Sequence, residues 1–180
     1  MRIIPTPLEG AATIEIDPLS DERGFFARTF CSDVLRKDGI SVRICQCSIS
    51  FNSASHTLRG LHYQASPHEE EKLVRCTAGA IFDVIVDLRP NSPSYRKWYG
   101  AVLSSDNRTT LFVPGGFAHG FITLKPSTEV FYMITKPHMP DFARTIRWDD
   151  PTLSIAWPAQ PSVISARDAS APILSDLERS

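Results

Sequence analysis

The chain has 180 residues, of which 42 % are hydrophobic and 9 % aromatic. This length fits one domain (residues 1–180) that buries about 70 % of the surface its unfolded form exposes. Its 19 basic and 20 acidic residues give a net charge of −1, which excludes an overall field that draws it to nucleic acid or a membrane surface. No apolar run approaches the roughly 18 residues of a membrane span, and the first ten residues lack a signal-peptide core. We therefore expect a soluble, cytoplasmic protein.

From residue 12 onward the sequence consists of short apolar or alternating runs separated by turn residues such as RPNSP (89–93) and PGG (114–116). Many short strands at close spacing are typical of an all-β sandwich or barrel. Only residues 31–38 and the tail near 168–178 have a helical composition. The runs are, in chain order, ATIEI (12–16), SVRICQCSISF (41–51), LRGLHYQ (58–64), KLVRC (72–76), AIFDVIVDL (80–88), KWYGAVL (97–103), TTLFV (109–113), GFITL (120–124), EVFYMIT (129–135) and TIRW (145–148).

The four cysteines, Cys31, Cys45, Cys47 and Cys76, form no C-x-x-C motif, although Cys45 and Cys47 would share one face of a strand. A zinc site or redox pair typically uses a C-x-x-C motif, which this pattern lacks. We expect buried free thiols in a reducing compartment.

Arg59, His62, Lys72 and Arg75 lie on two consecutive predicted strands within residues 57–76. Three cations and an imidazole there predict one wall of a site that binds an anion and moves a proton. By strict alternation Arg59 and His62 lie on opposite faces, unless Gly60 forms a bulge. Lys72 and Arg75 also lie on opposite faces, so at most one of them faces the site.

Residues 81–89 alternate most clearly, with Asp83 and Asp87 on the odd-numbered face. In an ordinary sandwich these carboxylates face water. If this face lines a barrel interior, Asp83 is a buried anion that needs a cation or imidazole partner. Both interpretations remain open at the level of the sequence.

His62 and His119 lie among apolar and glycine residues, where an imidazole is either a core group or an acid–base group, because it titrates near neutrality. Tyr132 alternates with apolar residues and is expected in the core, with a hydroxyl that needs a partner. Solvent exposure is expected for the remaining polar candidates, namely His56, His68, His138 and the run Glu69–Glu71.

Several segments occur in order between about residue 3 and residue 175, together with the strand that carries Tyr132. They are DERGFF (21–26), LRGLHYQ (58–64), KLVRC (72–76), FDVIVDLR (82–89), PGGFAHGF (114–121), WDDPTLSIAWP (148–158) and SARDASAP (165–172). Together they resemble the dTDP-4-dehydrorhamnose 3,5-epimerases. The resemblance implies a cupin-type double-stranded β-helix, or jelly roll, with short flanking helices. It also implies a homodimer with an exchanged N-terminal strand, and neither a metal nor another cofactor.

The activity implied by the resemblance is inversion of C3 and C5 in a nucleotide-diphosphate 4-keto-6-deoxyhexose. That reaction belongs to dTDP-rhamnose and other deoxysugar biosynthesis, which supplies lipopolysaccharide and cell-wall polysaccharide. A 4-keto group acidifies the hydrogens on both neighbouring carbons. A proton removed from one face and returned to the other therefore inverts a centre, and a base and an acid must flank the sugar.

Individual roles follow from the same resemblance. His62 resembles the general base, Asp168 the carboxylate that orients it, and Tyr132 the acid on the opposite face. Lys72 is the best candidate for stabilising the enolate, with His119 next. Without the resemblance, Asp168 in RDASAP would be interpreted as a helix N-cap. The expected substrate-binding residues are Arg23, Arg28, Gln46, Ser48, Arg59, His119 and Arg167, with Asp83 as a possible pocket carboxylate.

Three positions depart from the usual family pattern: Arg28 replaces a common glutamate, Ser48 an asparagine, and Ala143 an acidic residue. Because an arginine can satisfy the acceptors of cytosine, Arg28 raises the hypothesis of a CDP-linked sugar. A 3-epimerase is a further alternative. A metal-dependent cupin that uses His62, His119 and a carboxylate, or a non-catalytic sugar-binding jelly roll, would be a different class of protein.

Overall fold

The computed structural model describes residues 1–177, and residues 178–180 of the expected domain and tail lie outside this range. The α-helices are α1 (Ser32–Lys37), α2 (Ala166–Ala169) and α3 (Leu174–Leu177), and a 3₁₀ turn spans Pro140–Phe142. The strands are β1 (Arg2–Pro5), β2 (Ala12–Glu15), β3 (Leu19–Asp21), β4 (Gly24–Phe26), β5 (Gln46–Asn52), β6 (Thr57–Gln64), β7 (Lys72–Ala78), β8 (Ala80–Asp87), β9 (Trp98–Ser104), β10 (Thr110–Val113), β11 (Phe117–Thr123), β12 (Thr128–Ile134), β13 (Ala143–Thr145) and β14 (Val163–Ile164).

Two sheets pack face to face. Sheet 1 has the strand order β1-β2-β10-β7-β12-β5, and sheet 2 has the order β13-β6-β11-β8-β9, with the short β14 parallel to β6. Strands β3 and β4 form a separate hairpin. Since the other strand pairs of the two sheets are antiparallel, the expected all-β jelly roll is confirmed.

The core has three parts, because both sheets are covered on their outer faces as well as packed together. Val74, Val130 and Ile85 belong to the layer between the sheets. Helix α1 and residues 40–44 cover the outer face of sheet 1, and the segment after residue 146 covers that of sheet 2. Strand β8 is therefore buried on both faces, and its odd-numbered face points into the barrel.

This arrangement decides between the two interpretations of the carboxylates of β8. Asp83 and Asp87 are both fully buried, so the expectation for an ordinary sandwich, that they face water, is wrong. Asp87 accepts hydrogen bonds from Arg89, Ser92 and Ser94. Burial acts to raise the pKa of Asp87, but these donors outweigh it and lower the value to about 2.

A bulge separates Arg59 from His62 on β6. His62 pairs with His119 and Arg59 pairs with Phe121 on the neighbouring strand, so β6 has one residue more than β11 over this interval. Gly60 has φ +139°, and a Cβ there would lie 2.5 Å from the Cα of Gly120. The bulge, one of the two possibilities left open by the sequence, turns both functional side chains toward the interior.

Strand β5 lies at an edge of sheet 1 and begins at residue 46, later than the predicted start at 41. The residues before it, including Val42 and Ile44, pack with α1 on the outer face of the sheet instead. Because the outward face of β5 is uncovered, Cys47 on this strand is exposed. Cys45, just before the strand, is exposed as well, Cys31 is partly buried and Cys76 is buried. The expectation of buried thiols is therefore wrong for most of the four cysteines. No helix within residues 1–177 is long and apolar enough to cross a membrane.

Candidate active site

A cavity of about 360 Å³ opens between the two sheets. Sheet 2 contributes His62 and His119, and sheet 1 contributes Lys72 and Tyr132, so the candidate catalytic groups approach the cavity from both walls. The lining residues are Gln46, Ser48, Ser50, Arg59, His62, Glu70, Lys72, His119, Phe121, Tyr132, Ile134 and His138.

His62 forms a dyad with Asp168. The imidazole Nε2 lies 2.8 Å from Asp168 Oδ1, and the other carboxylate oxygen accepts from the Gly60 backbone N–H at 3.2 Å. The imidazole is 43 % exposed and the carboxylate only 6 %. Burial acts to raise the pKa of Asp168, but the hydrogen bond and charge of His62 outweigh it and lower that pKa. An ionised Asp168 thus fixes Nε2 as the protonated nitrogen and leaves Nδ1 able to accept a proton.

Helix α2 positions Asp168. Ser165 is the N-cap of this helix, and its hydroxyl accepts from the Asp168 backbone N–H. The interpretation of Asp168 as the N-cap is therefore wrong by three positions, since the cap lies at Ser165. This hydrogen bond anchors the residue in the first turn, from which its side chain reaches β6.

His119 forms a second dyad, with Asp83. Its Nε2 lies 2.8 Å from Asp83 Oδ1, and both side chains are almost fully buried. The partner that a buried Asp83 requires is thus the imidazole of the adjacent strand. Within residues 1–177 the second oxygen, Asp83 Oδ2, has no hydrogen-bond partner.

Tyr132 lies on β12, on the opposite sheet from the two histidines. Its ring contacts the His119 imidazole edge-on, with centroids 6.1 Å apart. Burial raises the pKa of Tyr132, the charge of Asp83 raises it further, and Arg59 opposes both effects. The phenol therefore stays protonated at neutral pH and can act as a proton donor.

Two cations complete the cavity wall. Lys72 Nζ lies 2.8 Å from Glu70 Oε1, and both side chains are nearly buried. Arg59 Nε donates to Asn52 Oδ1 at 2.8 Å, which holds its guanidinium at the rim. Arg75 does not line the cavity, in agreement with the alternation of β7.

Glu70 and His138 are site residues that sequence reasoning missed. Both line the cavity, and the expectation that the run Glu69–Glu71 is solvated is wrong, since all three residues are at least partly buried. Glu70 could have been recognised from its position two residues before Lys72, which places both side chains on one face of an extended chain. His68, also expected in solvent, packs against Phe142 with ring centroids 4.2 Å apart.

Some expected binding residues lie away from this cavity. Arg167 lines an adjoining cavity of about 220 Å³, which shares His62, Glu70 and His138 with the first. The chain does not bring Arg23 or Arg28 to its own cavity. The side chain of Arg23 is 84 % exposed and pairs with Asp21 on the β3–β4 hairpin.

A metal site requires several ligand side chains close together. Within residues 1–177 no three His, Cys, Asp or Glu side chains cluster so as to hold a metal ion. The two imidazoles each bond a carboxylate of their own through Nε2. The facial-triad alternative gains no support from this donor set.

The family model described as dTDP-4-dehydrorhamnose 3,5-epimerase matches residues 5–176. The chain belongs to this family. It is 45 % identical to the dTDP-4-dehydrorhamnose 3,5-epimerase of Sinorhizobium fredii over 158 residues, which cover 87 % of this chain and 81 % of that protein.

Two solved structures of this fold are informative. The dTDP-6-deoxy-D-glucose-3,5-epimerase of Legionella pneumophila, in complex with dTDP-4-keto-L-rhamnose, matches with a TM-score of 0.90 and 38 % identity over 97 % of this chain and 93 % of that one. A 3′-monoepimerase from Streptomyces bikiniensis, in complex with dTDP-quinovose, also gives a TM-score of 0.90, with 30 % identity over 98 % and 89 % of the two chains. The family thus includes proteins named for inversion at one centre and at two.

The departures from the usual pattern of this epimerase family fall in different places. Ser48 lines the main cavity and Ala143 the adjoining one. Arg28 is exposed, outside both.

Proposed function

We propose that the protein inverts C3 and C5 of dTDP-4-dehydro-6-deoxyglucose to form dTDP-4-dehydrorhamnose. The observation that carries this proposal is the placement of His62 and Tyr132 on opposite sheets across one cavity. Double inversion of a 4-keto sugar requires a base and an acid that flank the ring, and the family relationship supplies the substrate class.

Proton transfer begins at His62. Its Nδ1 accepts the hydrogen from the carbon next to the ketone, while Asp168 stabilises the imidazolium that forms. The electron pair of the broken C–H bond moves into an enolate whose negative charge lies on the C4 oxygen. Tyr132 then donates its phenolic proton to the same carbon from the other face. Solvent returns a proton to the tyrosine and takes the abstracted proton from His62, which restores the acid and the base. The second centre follows by the same steps.

The enolate oxygen requires positive charge or hydrogen-bond donors in place before the reaction. Lys72 and His119 line the same cavity as the base and the acid, and the Lys72 ammonium supplies such donors. A preorganised donor of this kind contributes about 3 to 4 kcal/mol to transition-state stabilisation.

The anionic end of the substrate is assigned to the cations around the rim. Arg59 lines the main cavity and Arg167 lines the adjoining one, and guanidinium groups bind phosphate oxygens bidentately. Gln46 and Ser48 offer hydrogen bonds from sheet 1.

Arg23 and Arg28 are assigned to the nucleotide of a second protomer. The β3–β4 hairpin holds them away from their own cavity, and Leu19, Phe25 and Phe26 on this hairpin are exposed. Such a group of apolar side chains favours contact with another chain. The proposed assembly is a homodimer in which the expected exchange of an N-terminal strand is assigned to the β3–β4 hairpin, since β1 pairs with β2 of its own chain.

Two alternatives share this site. A 3-epimerase would invert only C3, as the Streptomyces bikiniensis protein is named for. Tyr132 does not distinguish one inversion from two, because a double mutant of that monoepimerase also replaces a histidine and a tyrosine. A CDP-linked sugar was suggested by Arg28, which lies outside the cavity of its own chain and can meet the base only through the dimer proposed above.

The test is proton NMR of dTDP-4-dehydro-6-deoxyglucose in D₂O with the purified enzyme, beside the CDP analogue. We expect deuterium at both C3 and C5, faster turnover of the dTDP sugar, and no exchange above background with His62→Ala. Exchange at C3 alone would establish the 3-epimerase. Full activity of His62→Ala, or no exchange with either sugar, would refute the proposed function.

A further inference from the structure

Glu70 has a buried carboxylate inside a cavity proposed to bind an anion. Its side chain is 12 % exposed, and its Oε1 lies 2.8 Å from the Nζ of Lys72, which is 10 % exposed. A carboxylate that faces a diphosphate would repel it, and removal of a carboxylate from water is unfavourable unless a cation pairs with it. The placement therefore requires a function that offsets both effects.

The contact with Lys72 suggests this function. A lysine side chain has a flexible stem of four carbons and ends in a compact ammonium whose three N–H donors can rotate. The bond to Glu70 uses one of the three ammonium donors, and the other two remain for the cavity. Donors that are held in position before charge develops stabilise a transition state without reorganisation.

We propose that Glu70 is a positioning residue, which holds the Lys72 ammonium where its free N–H donors meet the C4 oxygen of the enolate. This inference rests on the epimerase function proposed above. Glu70 also lines the adjoining cavity with Arg144 and Arg167. The Glu70 carboxylate is thus shared by the proposed sugar site and the cavity that contains the proposed phosphate-binding cation Arg167. Its bond to Lys72 keeps this ammonium directed to the sugar instead of to a phosphate.

Three variants test the proposal. Glu70→Gln keeps an oxygen that can accept from Lys72, Glu70→Ala removes it, and Glu69→Ala is a matched control one residue away that does not line the cavity. We expect Glu70→Ala to lower kcat for deuterium exchange by roughly 10- to 100-fold with KM changed less than threefold, since a displacement of about 1 Å can cost 100-fold. Glu70→Gln should recover most of the loss, and Glu69→Ala should match the wild type.

A structural role alone would lower the thermal midpoint of Glu70→Ala without this split between kcat and KM. A kcat within twofold of the wild type for Glu70→Ala, or equal losses in the Ala and Gln variants, would overturn the proposal. Crystal structures of the wild type and Glu70→Ala provide a readout that does not need activity. Displacement of Lys72 Nζ only in the variant supports the positioning role even if the dTDP sugar proves not to be the substrate, and an unmoved Nζ refutes it.

Discussion

His62 and His119 are cross-strand neighbours, and each directs its Nε2 to an aspartate 2.8 Å away. The two dyads differ in exposure: the His62 side chain is 43 % exposed and that of His119 only 5 %. The Asp168 carboxylate has an additional backbone donor, whereas Asp83 Oδ2 has none among residues 1–177. His62 is therefore accessible from the cavity, whereas the dyad of His119 and Asp83 is enclosed by the protein.

The first prediction concerns the orientation of the base. Asp168→Asn keeps the shape of the side chain but removes the charge that fixes the His62 tautomer and stabilises its imidazolium. We expect kcat for deuterium exchange to fall by about 100- to 10,000-fold, while the thermal midpoint changes little. Asp149→Asn, at an exposed ion pair with Arg147, is the matched control. A kcat within threefold of the wild type would contradict the dyad.

The second prediction separates the acid from the base. Tyr132→Phe removes the proton donor on sheet 1 but leaves His62 in place, so hydrogen should still be abstracted and returned on the His62 face. Inversion is expected to fall by about 100- to 10,000-fold, with deuterium incorporated in retained configuration, as followed by NMR. Tyr99→Phe, which alters a partly buried tyrosine outside the cavity, is the control. Undiminished inversion by Tyr132→Phe would assign the acid elsewhere.

Alternation along single strands predicted the strand pattern and the separation of Lys72 from Arg75, because the period of a strand is a local property. It left Arg59 and His62 undecided, since the bulge at Gly60 depends on close contact with Gly120 in another strand. The pairing of Asp83 with His119 also depends on which face of β8 is covered. That choice is made by the packing of two sheets.

Contacts between residues that are far apart in the sequence, or that depend on burial, account for the parts of the site that the residues alone did not predict. Asp168 lies 106 positions after His62, and only the family resemblance connected them. Glu70 was misassigned because a run of three glutamates is usually solvated, whereas here one member finds a cation in a cavity. Composition cannot anticipate such a partner, since the burial of a charge depends on what lies beside it.

The third prediction concerns stability in acid. The pKa of Asp87 is lowered from 3.8 to about 2, so its contribution to stability is fully present above the unfolded pKa near 4 and is lost as the pH falls through about 2. This contribution is about 2 kcal/mol in full, and roughly half should be lost by pH 3. Urea unfolding at pH 5 and pH 3 measures it.

Asp87→Asn should be less stable than the wild type at pH 5 but should lose about 1 kcal/mol less between the two pH values. The exposed Asp106 offers a control, because Asp106→Asn should keep the full pH dependence. Equal pH dependence of Asp87→Asn and the wild type would show that another group is responsible.

The fourth prediction tests the proposed dimer. Phe26 on β4 of the hairpin that is proposed to cross to the partner is 74 % exposed, and an exposed group of apolar side chains favours association. Phe26→Asp should shift the sedimentation coefficient from dimer to monomer at micromolar concentration. Val102→Asp, at a 50 % exposed valine on β9 of sheet 2, should leave it unchanged. A monomeric wild type would exclude the assembly.

The last prediction concerns the bulge that sets the geometry of the site. Gly60→Ala combines a backbone with φ +139° and a Cβ that would lie 2.5 Å from the Cα of Gly120. Backbone strain and overpacking together should lower the free energy of unfolding by about 2 to 5 kcal/mol. Gly24→Ala is the matched control, because Gly24 has φ +122° but no atom within 4 Å of an added Cβ.

The difference between the two variants isolates the contact from the strain. If the contact with Gly120 determines the loss of stability, urea unfolding should show that Gly60→Ala is less stable than Gly24→Ala by at least about 1 kcal/mol. Relief of the contact would move β6 away from β11 and carry His62 from its position opposite His119, so kcat should fall in the folded fraction as well. Equal destabilisation by the two substitutions, with kcat preserved in Gly60→Ala, would mean that the close approach of Gly60 and Gly120 does not set the position of the base.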